Sequence, residues 1–542
     1  MIVDLDSFSQ PRKWQSRVCI IGGGIAGLTL AHSLRHSQIP VIVLEAGGLQ
    51  AEDRCQDLNA VEMAGVPHAG TSAGRFRVLG GASTRWGGQL MPFTSDVLQP
   101  PAASGLPRWP ITPQDIEPYY CELESLIGVN SLPFTGDLLS LFQQQPGLLS
   151  DDIRLRFSKW VPYRNRNLAK TLGQQCIQAG SISVFLHSNV THIQMRADGC
   201  SVSSVTARTM AGVTHEFQAD IFVACAGTIE TSRLLLASND VCRAGVGNDF
   251  DQVGRYFHDH ISVKAATVPA EARHSLLQHF TPLLRSGTVH TPKLEASASL
   301  RTRKQMLSVM AHFPLEEPEH TAMHSVRKIL RTMQSGKWDT SLIRTALGIL
   351  PQCWEMGGYV GTAYLRNRRP VSRHASVALH IDCEQMPHPD SRIRLSSRLD
   401  RLGSRMAIVD WRISEQERHT MQTFAGVLNK TMHAAGFGQL LWDERLFQND
   451  DSWFKLPTDV LHMMGGTRMG ASPAESVVDA NLLVHGVENL YVASCSVFPT
   501  GGSSNPTFSL MALTLRLSER IVRQCAEAAV GELAGSLVDA GV

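Results

Sequence analysis

Short apolar runs separated by glycine turns open the chain. Val18–Ile21 is apolar and runs into Gly22-Gly23-Gly24. Leu28–Leu34 then has the composition of a helix, and Val41–Leu44 is a second apolar run. Strand, glycine turn, helix, strand is the start of a parallel doubly wound sheet. The stretch from Gly70 to Pro92 is rich in Gly, Ser and Thr and predicts a loop lying close to something. Trp109-Pro110-Ile111-Thr112 followed by Asp115–Leu126 predicts an N-capped helix. Val202–Thr209 and His215–Gln218 predict a hairpin or meander, and Ile221–Cys225 a further fully apolar strand before a helix over Glu230–Ala237. From 265 to 455 the glycine punctuation fades, and strand-like pieces such as Ser376–Ile381 and Arg392–Leu395 mix with helical ones. Punctuation returns from His462 onward, and a helix is expected over Pro506–Ala529.

Three segments are therefore expected: 1–264, 265–455 and 456–542, with an excursion of the first toward the middle one near 127–180. The 542 residues suit two large units. Apolar residues at 43% and charged residues at 18% place the chain among globular proteins. The net charge of +1 offers no global field for nucleic acid or anionic membrane, so neither is expected as a partner. Neither a secretory signal pattern nor a run of 18 apolar residues is present. The eleven cysteines are dispersed, without a C-x-x-C pair, which points to a reducing compartment and a cytoplasmic protein. Ser325–Leu350 is basic and partly amphipathic, with Arg327, Lys328, Arg331, Lys337 and Arg344. A solvated helix over the middle segment is expected, docking on a membrane or partner being the alternative.

The glycine run adds chemistry. Gly22-Gly23-Gly24-Ile25-Ala26-Gly27 matches G-x-G-x-x-G in the strand-to-helix context that the motif needs. Gly22 allows the tight turn, Gly24 lets backbone approach a pyrophosphate, and Gly27 permits close helix–strand packing. The helix N-terminus, with Ile25 and Ala26, offers N–H donors to phosphate. Glu45 ends the second strand, where a carboxylate accepts hydrogen bonds from ribose hydroxyls. Two later segments point to a large planar ligand: Gly80, Gly81, Ser83, Arg85, Trp86, Gly87 and Gly88 in the glycine-rich loop, and Ala226-Gly227 after a strand.

These segments, with Val253–His260, Glu384–Ile393, His462–Gly470, Val477–Asp479, Asn489–Val492 and Ser503–Thr507, resemble the glucose–methanol–choline (GMC) flavoprotein oxidoreductases. The resemblance implies an α/β fold: a Rossmann-like FAD-binding domain built from both termini, with an inserted α+β substrate-binding domain. It also implies oxidation of a CH–OH group by proton abstraction and hydride transfer to flavin N5. His462 matches the catalytic histidine and Asn505 its partner. Ser496, Pro506 and Thr507 match the flavin side, where the helix start aims N–H groups at the ring. A neutral imidazole can take the hydroxyl proton, its reference pKa of ~6.5 lying near working pH, and an amide N–H can stabilise the developing oxyanion. Asn505 can also be read as an N-cap before Pro506.

Some relatives attach FAD through a histidine in this loop. Arg85 holds the nearest position here, so noncovalent FAD is expected. His258 and His260 flank Asp259, but without further ligands no metal is expected. His68, His187 and His485 are expected to be surface or structural residues. The Gly465–Gly470 form and Arg108–Ile111 look most like the sugar-oxidising members, such as pyranose oxidases and sugar-acid dehydrogenases. A secondary hydroxyl of a sugar or glycoside is the expected substrate, with Trp354, Tyr359 and Tyr364 offering stacking faces and Gln385, His388 and Arg392 offering hydrogen bonds. The alternatives are a lipid or steroid alcohol oxidase and a catalytically inactive flavin-binding partner subunit. The electron acceptor (oxygen, a quinone or a redox protein) stays open.

Overall fold

The computed structural model describes residues 1–142, 150–319, 321–335, 345–346, 348–349, 367–369, 371–372 and 374–539. Its first layer is a parallel sheet in the order Ile182–Leu186, Val41–Leu44, Lys13–Ile21, Thr214–Ala224, Leu490–Val492. The last strand comes from the C-terminal segment, so both ends of the chain build this sheet. Strands buried on both faces need apolar residues throughout, as Val18–Ile21 and Val41–Leu44 provide. Asn189–Met195 and Val202–Arg208 extend the sheet antiparallel to the first half of Thr214–Ala224. His215–Gln218 and Ile221–Cys225 are thus one continuous strand rather than two. Its second half keeps the parallel pairing on both edges.

Helix Ile25–Leu34 starts earlier than its apolar run, because Gly24 serves as N-cap and its carbonyl accepts from Leu28 N at 2.9 Å. The terminal helix spans Thr507–Asp539, beyond the expected Ala529, and packs on Ile25–Leu34. Thr112 forms a capping box with Asp115, but the turn that it caps is a 3-10 turn over Pro113–Asp115. The helix proper is Glu117–Ile127.

The second sheet is antiparallel, in the order Leu441–Trp442, Ile261–Thr267, Ser376–Cys383, Val309–His312, Thr288–Ala296, Ile153–Trp160, Gln89–Leu90. Two of these strands precede residue 264. A three-stranded sheet of Arg392–Leu399, Arg405–Asp410 and Val61–Met63 packs on helix Thr228–Ala237, which follows a strand of the parallel sheet. Ile153–Trp160 falls within the expected excursion near 127–180, whereas Gln89–Leu90 and Val61–Met63 join strands of the other two sheets from outside it.

The antiparallel sheet has two contrasting faces, as period-two side-chain alternation requires. Leu294, Ala296, Val309, Ala311, Leu379 and Ile381 share a buried core with Met421, Phe424 and Leu428 of helix Glu415–Ala434. The alternate positions are polar: Ser158, Arg156, Thr291, Lys293, Glu295, His312, His380, Asp382 and Ser262.

Of the basic stretch, helix Ala322–Ser335 is described, and its end is tied to the glycine-rich loop. Gln334 Nε2 donates to the carbonyls of Ser83 (3.2 Å) and Trp86 (2.9 Å). Lys337 and Arg344 lie outside the described residues. Among the described residues, no helix is long and apolar enough to cross a membrane.

Candidate active site

The glycine turn is made by close approach. Gly22 has φ +109°, and a Cβ there would stand 2.6 Å from the Cys225 carbonyl oxygen. A Cβ on Gly27 would stand 1.9 Å from the Gly22 oxygen. At Gly24 a Cβ would meet nothing within 4 Å, because Gly24 faces a cavity. Gly22, Ile25, Ala26, Glu45, Gly81, Ala82, Ala226, Gly227, His462, Pro506 and Thr507 line the same cavity. Buried Glu45 accepts from Gly23 N through Oε2 and from Gly47 N through Oε1, both at 2.9 Å. Burial pushes its pKa up, against these N–H groups and Arg77. Each carboxylate oxygen has a second lone pair for a ligand hydroxyl.

Gly27, Gly80, Ser83, Arg85, Trp86, Gly87, Gly88 and Ser496 are not among the residues lining this cavity. Ser83 Oγ donates to the Gly80 carbonyl and accepts from Leu168 N, so the loop is tied to its neighbours. Trp86 Nε1 donates to the Arg166 carbonyl at 2.8 Å. The Arg85 guanidinium stands over the Phe76 ring at 5.2 Å, and Phe76 does line the cavity. Ser496 Oγ bonds Thr467 Oγ1 at 2.6 Å in the core. The expectations also missed a charged cluster on the wall, where Glu230 meets Arg75 (2.8 Å), Arg77 (2.9 Å) and Arg233 (3.0 Å). Burial alone would raise the Glu230 pKa, but the three guanidiniums bring it down to about 2. Arg75 and Arg77, one residue apart beside Gly74, were the available signal.

His462 and Asn505, 43 positions apart in the chain, meet with Asn505 Nδ2 3.3 Å from His462 Nε2. The His462 backbone N–H donates to the Asp259 carboxylate, 2.9 Å from each oxygen. Behind it, His68 Nε2 lies 3.2 Å from Asp259, so His68 is a buried structural residue rather than a surface one. Desolvation, then the neighbouring His260, lowers the His462 pKa to about 3. The imidazole is thus neutral because its surroundings exclude the charged form, not because its pKa lies near 6.5. Asn505 is not the N-cap: the Pro506 carbonyl accepts from Leu510 N, so Pro506 caps the terminal helix and the Asn505 side chain serves His462.

The polar face of the antiparallel sheet turns toward the segment that carries Asn505. Arg156 Nη1 donates to Ser504 Oγ (3.3 Å), Ser503 Oγ to Glu295 Oε1 (3.2 Å), and Gly502 N to Glu384 Oε1 (2.7 Å). On the same face, Asp382 lies 3.1 Å from His312 Nδ1 and 3.9 Å from Lys293 Nζ. Burial would raise the Asp382 pKa, but His312 and Lys293 hold it well below the usual range. The charges of Asp382 and Lys293 also act on His462.

The hydrogen-bonding residues expected for substrate lie elsewhere. Gln385 Oε1 accepts from Asp259 N and Trp411 Nε1, and its amide donates to the Arg412 carbonyl. His388 is exposed and accepts from Asp390 N, while Arg392 pairs with Asp251. Trp354, Tyr359 and Tyr364 lie outside the described residues. The useful signal was the alternation of Lys293 and Glu295 with Leu294, and of His380 and Asp382 with Ile381.

The family described as GMC oxidoreductase matches residues 387–514, the stretch that holds His462 and Asn505. Through this stretch the chain matches the GMC oxidoreductases. It is 24% identical to 6'''-hydroxyparomomycin C oxidase of Streptomyces lividus over 96% of the chain and 94% of that protein. Identity to the fructose dehydrogenase large subunit of Gluconobacter japonicus is 22%, over 93% and 97%. A formate oxidase of Aspergillus oryzae shares the fold at TM-score 0.59 and 17% identity, covering 95% and 99% of the two chains. A pyridoxine 4-oxidase from Mesorbium loti does so at 0.55 and 17%, covering 93% and 99%. GMC oxidoreductases bind FAD, and this cavity fits it: Gly24 leaves open space at a helix N-terminus, and Glu45 offers a buried carboxylate.

Proposed function

We propose that this chain is a GMC oxidoreductase that oxidises a CH–OH group of a sugar or glycoside, and that FAD is held without a covalent bond. The observation that carries the substrate reading is the polar sheet face around half-buried Asp382 and His312 and buried Lys293, turned toward the His462–Asn505 pair. Sugar hydroxyls lose water on binding and must be re-paired, which this mixture of donors and acceptors can do. A sterol would need an apolar face there. The names of the aminoglycoside-type and fructose-oxidising relatives support the same class. FAD, when bound, supplies the two-electron acceptor. Neutral His462 takes the hydroxyl proton on Nε2, and the Asn505 amide N–H stabilises the oxygen as its negative charge grows. The presence of both side chains argues against an inactive partner subunit. Arg85 stands in the loop where a linking histidine would be needed, which supports noncovalent FAD. Ten cysteines of the described residues are free, which supports a reducing, cytoplasmic setting.

The test is anaerobic mixing of holoenzyme with hexoses, glycosides, inositols, short alcohols and a sterol. Bleaching by one or more carbohydrates is expected. Bleaching by the sterol or by simple alcohols alone would overturn the substrate class and leave the flavin chemistry intact.

A further inference from the structure

His260 stands behind His462, within reach of the nitrogen that does not face Asn505. The two Nδ1 atoms are 2.9 Å apart, and the rings cross at 88°. His260 Nε2 lies 3.1 Å from the Gly501 carbonyl oxygen. His260 is almost fully buried.

We propose that His260 is a positioning residue that fixes the tautomer of His462, leaving His462 Nε2 unprotonated toward the substrate. The proposal rests on His462 being the base. A carbonyl oxygen can only accept, so the Gly501 contact places the His260 proton on Nε2. With its hydrogen on Nε2, His260 presents a lone pair at Nδ1. The facing atom, His462 Nδ1, must carry a hydrogen, since two lone pairs at 2.9 Å would repel. A neutral imidazole has one N–H, so His462 Nε2 is bare. The other side gives the same answer independently: the Asn505 amide nitrogen, 3.3 Å from His462 Nε2, has hydrogens only to donate. The chain Gly501 carbonyl, His260, His462, Asn505 is consistent at every contact.

Placement of the backbone is a separate matter. Asp259 holds the His462 N–H, and His260 meets the ring. Gly501 keeps the carbonyl within reach, since a Cβ there would stand 2.6 Å from Met464 Cε and 3.1 Å from His260 Nε2. Losing His260 should therefore change the proton distribution on the His462 ring more than the position of the chain.

The experiment pairs spectroscopy with two variants, all on FAD-loaded protein. Long-range 1H–15N spectra of 15N-histidine-labelled enzyme, with the His462 signals assigned by their loss in His462→Ala, should show the Nδ1–H form. The Nε2–H form would overturn the proposal. At saturating sugar, His260→Leu should slow flavin reduction by about 10-fold or more, with KM little changed. His260→Asn, whose amide oxygen can accept where Nδ1 did, should be at least about threefold faster than His260→Leu. Parent-like reduction in His260→Leu, or equal losses in both variants, would overturn the tautomer role. If His260→Leu fails to fold, the spectrum of the parent decides. A His462→Ala variant at the parent rate would instead overturn the base reading, so the two failures are distinguishable.

Discussion

The parallel and antiparallel sheets make their chemistry in different ways. At the parallel sheet much of the ligand surface is backbone: the turn at Gly22–Gly27, the Ala226-Gly227 turn and the start of the terminal helix, with Glu45 as the side chain expected there. At the antiparallel sheet the work falls to side chains on alternate positions, and the groups that matter come from five strands. The first kind of site is written in short contiguous motifs. The second is spread over the chain and visible only once the strands are paired. A cofactor common to many enzymes can be held by backbone geometry, while the choice of substrate can change with single side chains.

The largest expected effect contrasts two glycines of one motif. Gly27→Ala drives a Cβ against the Gly22 oxygen and should leave little folded protein, read as soluble yield and loss of the thermal transition. Gly24→Ala points into open cavity, so the apoprotein should fold and melt like the parent while FAD affinity falls. Equal damage from both would break the claim that one glycine serves packing and the other the ligand.

The antiparallel sheet should respond in KM rather than in cofactor content. Lys293→Met leaves Asp382 with His312 and Ser262 and removes a donor from the polar face. KM for the best sugar should rise about 10-fold, roughly the worth of one hydrogen bond to a charged group, at full FAD occupancy. Loss of FAD without a change in KM would assign Lys293 to the wrong sheet's task.

The smallest expected effect is an absence of change. The His462 pKa is lowered to about 3, so its base form is complete at neutral pH and is lost only as pH falls through that value. Sugar-driven flavin reduction should thus stay level between about pH 8 and pH 5. A base with the ordinary histidine value of ~6.5 would lose activity below it. A decline in reduction rate centred near that value would show that burial does not hold the imidazole neutral.

Much of the fold was legible because fully buried strands need apolar runs, and glycine turns need glycine. The join of His215–Gln218 with Ile221–Cys225 was not, because Ala219 and Asp220 interrupt the apolar pattern while the backbone continues. His462 and Asn505 were legible from their motif context. Their supports were not: Asp259 and His260 are local in sequence to each other but remote from His462, and only folding joins them. Gln385, His388 and Arg392 bond to protein groups for a related reason. Polarity in a strand region says that a partner is needed, and here the partners are Trp411, Asp390 and Asp251.

Whether His462 is the base is decided by single-turnover flavin reduction with the best sugar, in parent and His462→Ala, with FAD content determined in both. The variant should keep its full FAD content and be reduced roughly 100-fold or more slowly, the scale on which a positioned general base acts. A His462→Ala enzyme that is bleached by the sugar at the parent rate would contradict that role.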